Sequence, residues 1–139
     1  MATFNKFNSF VEALAEKVHN LASDTLKVAL SNTAPLAANS VLADITQIAN
    51  GNGYTTGGAQ ATQASSVQTG GTYKLVLNDV TFAASGGSIA TFRYVMLYND
   101  TATNDELIGW YDFGTAVNIT NGNSFTVDFD ASNGVLTIA

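Results

Sequence analysis

The chain has 139 residues, 46% hydrophobic and 12% charged, with eleven acids, five bases and a net charge of −6. That length fits one domain. The charged fraction is about half that of an ordinary soluble domain, so Asn, Thr, Ser, Gln and Gly must cover the surface. There is no cysteine, which excludes disulfides, thiolate metal sites and cysteine nucleophiles, and the scattered bases form no stripe to neutralise nucleic-acid phosphates.

The first element reads as helical. Phe4, Phe7, Phe10, Val11, Leu14, Val18 and Leu21 are spaced 3, 3, 1, 3, 4 and 3 residues apart. At 3.6 residues per turn they form a stripe about 120° wide. Asn8, Glu12, Glu16, His19 and Asn20 fall on the opposite side, so His19 is expected in solvent. Ser9 with Glu12 has the spacing of a capping box, but the stripe begins at Phe4 and favours an earlier start. The expectation is one amphipathic helix over residues 1–22. Its amino-terminal part lacks the cationic-then-apolar pattern of a signal peptide. No apolar run approaches the ~20 residues of a membrane helix, so no membrane partner is expected.

After Asp24 the period falls to two. Leu26, Val28 and Leu30 alternate with Lys27, Ala29 and Ser31, as in a half-buried strand. The only proline, Pro35, sits in a polar connector. VLADITQI (41–48) fits either a helical turn or a short strand. GNGYTTGGAQATQ (51–63) is an uncharged glycine-rich loop, followed by a polar, edge-like stretch from Ala61. Tyr73, Leu75 and Leu77 share one face of the next segment. In 89–99, Phe92, Tyr94, Met96 and Tyr98 alternate with Arg93, Val95 and Leu97, so both faces look partly covered. LIGWYDFG (107–114), FTVDFD (125–130) and VLTIA (135–139) read as further strands, separated by Asn/Gly turns. Many short strands after a single helix predict a mainly β chain: an antiparallel β-sandwich, jelly-roll-like, over residues 25–139, in one domain spanning 1–139.

Few residues carry chemistry. His19 is the only histidine, too little for an imidazole-based zinc site. Asp128 and Asp130 share one face of a predicted strand, about 7 Å apart, a spacing glycosidases also use. The outward face of an antiparallel strand routinely carries such residues, however. Asp100, Asp105 and Glu106 crowd one loop without the EF-hand spacing of a Ca²⁺ site. The glycine-rich loop is no phosphate cradle, because no lysine follows its glycines and GNGYTTG misses the dinucleotide spacing by one residue. A neutral loop centred on Tyr54 matches the composition of protein-contact loops. No catalytic residue, cofactor or metal is expected. Phe4, Phe7 and Tyr54 are the candidate protein contacts.

The runs FNKFNSFVEALAEKVHNL, SDTLKVALSNTAP, LADITQIANGNGYTTGG, FRYVMLYNDT, LIGWYDFG and VDFDASNGVLTIA together resemble a group of small virion structural proteins of tailed bacteriophages. The resemblance spans nearly the whole chain and includes no catalytic motif. It implies a capsid decoration, or cement, protein on the capsid surface, made in the bacterial host cytoplasm. The partners it implies are the major capsid protein and further copies of the chain, as a homodimer or homotrimer. The alternative is a tail or head-fibre component that binds a receptor or carbohydrate.

Overall fold

The computed structural model describes residues 2–139. A short strand β1 (Phe4–Lys6) leads into helix α1 (Ser9–Ala15), and β2 (Leu26–Ser31) follows. A long connector with one 3-10 turn at Leu42–Asp44 then reaches β3 (Ala59–Gln60). Strands β4 (Gln63–Thr69), β5 (Thr72–Leu77), β6 (Val80–Ala83) and β7 (Ile89–Asn99) come next. The chain continues through β8 (Leu107–Ile119), β9 (Ser124–Val127) and β10 (Leu136–Ile138). The mainly β, antiparallel fold with one short helix agrees with the strand-period reading.

The largest sheet has the order β1-β8-β7-β2-β3. Its backbone is the β2–β7 ladder, which runs from Leu26 opposite Asn99 to Ser31 opposite Tyr94. A second sheet has the order β10-β5-β4, and β6 pairs with β9. Strands β4 and β5 close through Gly70 and Gly71, both at positive φ (61° and 88°), as a two-residue hairpin turn requires. One face of the large sheet packs against the two small ones in a sandwich-like arrangement. Val28 and Leu30, Val95 and Leu97, Leu75 and Leu77, Phe82 and Val127 belong to this one buried cluster. Fully burying each such side chain contributes about 1.5–3 kcal/mol.

The outer face of the large sheet is covered too. Phe7, Ala29, Met96, Tyr98 and Leu107 form a second, smaller cluster, closed by Leu42 and Ile45 of the connector and by Trp110. This explains the aromatic content of β7 on both sides. The segment 41–48, ambiguous in sequence, contains a 3-10 turn at Leu42–Asp44, and its Leu42 and Ile45 pack against that cluster.

The amino-terminal helix is far shorter than the apolar stripe implied. Residues 4–6 are a strand paired with β8, Phe4 opposite Tyr111 and Lys6 opposite Gly109. On a helix Phe4 and Phe7 would share a face. On extended chain, an odd spacing sends them to opposite faces. Phe4 packs against the main cluster, whereas Phe7 fills the second one, 4.6 Å from the Trp110 ring. The periodicity fitted both geometries, and burial on both sides of the sheet decided between them. The Ser9 capping box does not form, because Asn8 occupies the N-cap position without a side-chain cap.

The helix stops at Ala15 because the chain turns left-handed at Lys17 (φ 69°). Val18 N–H donates to Ala13 O (2.9 Å) and Lys17 N–H to Leu14 O (3.3 Å). That pair of bonds is a Schellman motif, usually made with glycine at the Lys17 position.

Candidate contact face

Two of the three sequence-predicted contact residues are not on the surface. Tyr54 is 1% exposed and Phe7 is fully buried. Phe4 is half-buried, its ring lying over Gly109, whose missing side chain leaves the room, and 5.5 Å from the Tyr111 ring.

Tyr54 organises its loop from the inside. Leu30 N–H donates to the Tyr54 hydroxyl (3.2 Å), which donates to Gln47 Oε1 (2.7 Å). Gly57 N–H donates to the same Gln47 oxygen (2.8 Å), and the Tyr98 hydroxyl donates to Gly57 O. Strand β3 covers β2 only at Lys27 and Val28, so Tyr54 supplies the partner that the ladder denies to Leu30. Burial raises both tyrosine pKa values above the ordinary range, which keeps these hydroxyls protonated as donors. The glycines answer to packing. A Cβ on Gly58 would lie 1.7 Å from Val28 O, at φ 76°. Gly58 therefore lies directly on β2, and Gly53 lies as closely on Ala83 at the end of β6, where a Cβ would be 2.0 Å from the carbonyl oxygen.

Several of the acidic groups are engaged within the fold. Asp128 and Asp130 lie beyond the end of β9. Asp128 is exposed, while Asp130 caps the following turn, its Oδ1 accepting from the N–H groups of Asn133 (2.8 Å) and Ser132 (2.9 Å). Those bonds, with Asn133 first, hold its pKa below the usual carboxylate range. Asp100 pairs with Lys27 at 3.2 Å, and Glu106 accepts from Asn104 N–H. Among the described residues, no three His, Asp or Glu side chains converge to hold a metal ion. None of the described helices is long and apolar enough to cross a membrane.

His19 is the residue the sequence placed worst. It is 5% exposed, not solvated. The helical angle that put it beside Glu12 and Glu16 has no meaning four residues past the helix end. An early stop signal at Lys17 would have found it, but lysine gives none.

What the surface does offer is an apolar face between the two layers. β1 and β10 are each the outer strand of their sheet. Helix α1 lies across the gap between them. The resulting groove, about 430 Å³, is walled by Phe4, Phe10, Leu14 and Leu136, with Lys6 at its rim. Val11 (52% exposed) and Ile138 (41% exposed) stand on its lips. A second hollow of about 420 Å³ adjoins it across Leu14 and Ile138 and is bordered by Lys17 and Tyr73. Both sheet edges are only three residues long, which limits uncontrolled strand addition, so contact here goes through side chains. Of the sequence-predicted contacts, Phe4 alone reaches this face.

No protein-family model, curated protein or solved structure matches this chain.

Proposed function

We propose that the chain is a structural virion protein that binds the outside of a phage capsid and stabilises the shell as a decoration protein. The observation that carries this reading is the apolar face of α1 and β10, where Val11 and Ile138 are both exposed and line one open groove. Exposed apolar surface grouped around a concavity is the ordinary mark of a contact site. The sparsely charged surface and the sequence resemblance to phage virion proteins support the same reading. The mechanism is mass action: many copies bind the assembled shell, not its free subunits, and add contact energy to it.

The test uses phage heads that lack the protein. Mixed with the purified chain and sedimented, the heads carry it down in stoichiometric amount and gain heat tolerance. The double variant Val11→Asp/Ile138→Asp keeps the wild-type melting temperature, since both side chains are exposed, but stays in the supernatant. Wild-type protein that never pellets with heads overturns the proposal, and so does a folded double variant that binds undiminished.

A further inference from the structure

A buried side-chain cluster joins the turns that follow α1 to the end of β7, and its His19 and Asp24 also border the second hollow beside the contact groove. Asn99 is fully buried, and its orientation is fixed. Its Oδ1 accepts from the backbone N–H groups of Thr101 (3.0 Å) and Ala102 (3.2 Å). Its amide nitrogen therefore faces the other way, donating to Asp24 Oδ2 (2.6 Å) and to His19 Nδ1 (3.0 Å). Nδ1 must be an acceptor, so the neutral imidazole carries its proton on Nε2, which has no acceptor among the described residues. The other side of the ring packs on Phe10, 5.4 Å away.

We propose that His19, Asn99 and Asp24 form an acid-operated latch: protonation of His19 unfastens residues 16–24 from the end of β7 while the sandwich stays folded. An imidazolium is a donor at both nitrogens, so no rotation of the ring restores an acceptor to Asn99. Turning the Asn99 amide over fails as well. It would set Oδ1 against the Asp24 carboxylate and the amide N–H groups against those of Thr101 and Ala102. The charged groups facing the ring are Asp24 from the turns between α1 and β2 and Glu106 from just before β8, and both favour the cation. α1 contributes the neutral Phe10 and β7 the neutral Asn99. Burial outweighs the two carboxylates and lowers the His19 pKa below its ordinary 6.5.

The sign follows from linkage. The unfolded chain binds the proton more readily, so the latch's contribution is complete above 6.5 and is lost as pH falls through the lower folded value. Release is local because only Asn99 belongs to the β2–β7 ladder, at its last pair, while His19 and Asp24 lie outside it. Two further ties hold this segment: the Gln63 amide donates to Leu21 O and Asp24 O, and the Leu21 side chain is buried in the main cluster.

His19 is the only histidine, so its ring resonances in an NMR titration need no assignment. The expected midpoint is below 6.5. Hydrogen exchange is followed between about pH 7.5 and pH 5, bracketing histidine titration, and corrected for intrinsic rates. Amides of residues 16–24 then exchange about tenfold faster once the ring is protonated, the effect of losing one buried hydrogen bond, while β2 and β7 keep their protection. His19→Gln removes the pH step. A midpoint at or above 6.5 overturns the latch. Unchanged protection of 16–24 in the protonated protein, or its loss in step with β7, does so equally, and so does a pH step that persists in His19→Gln. The titration and exchange on the wild-type chain decide the matter even if that variant fails to fold, and neither depends on capsid binding.

Discussion

Replacing Tyr54 by Phe separates two roles for the glycine-rich loop. The ring stays and only the hydroxyl goes. Leu30 N–H, at a position with no exposure, then loses its acceptor, while Gln47 Oε1 keeps its bond from Gly57. A buried donor left unpaired costs about 1–3 kcal/mol. For a chain of this size, 1 kcal/mol moves the thermal midpoint by about 3–4 °C, so Tyr54→Phe melts roughly 3–12 °C below wild type. The assay is thermal unfolding followed by circular dichroism, with urea unfolding to check that the m-value is unchanged. A surface-contact role predicts the opposite pattern: unaltered melting and weakened association. A midpoint within about 1 °C of wild type refutes the reasoning.

Two further substitutions test the backbone geometry. Gly58→Ala places a methyl group into Val28 O at a left-handed φ and costs about 3 kcal/mol or more, read as a lowered urea midpoint; tolerance of alanine shows that the loop does not lie on β2. Lys17→Gly relieves a non-glycine residue in the left-handed region, worth about 1–2 kcal/mol before the entropic cost of glycine, and raises stability by about 0.5–1 kcal/mol. A lowered melting temperature for that variant argues against the Schellman ending of α1.

Period-two alternation located β2, β5 and β7 because burial on at least one face of a sheet leaves that mark in any sequence. The double-sided burial of β7 was legible for the same reason. The amino terminus was not. Phe4, Phe7 and Phe10 at intervals of three satisfy a helix, and nothing local reveals that β8 waits to pair with residues 4–6. The end of α1 was hidden because its left-handed residue is lysine. Tyr54 misled by composition: a loop poor in charge and rich in glycine looks the same whether it lies against a partner or against its own sheet. The apolar groove is a tertiary product of α1, β1 and β10, and only Phe4 announced any part of it.

The walls of that groove have a consequence for synthesis. One wall is residues 4–6, which pair with residues 109–111, and the other is residues 136–138. Pairings this distant in sequence form late, after the closer ones have drawn the intervening chain together. A ribosome still translating residue 100 has already emitted β1 but can offer it neither neighbour. Nascent or prematurely terminated chains therefore lack the groove altogether, and an assembly that selects through this face admits only polypeptides translated through to Ile138.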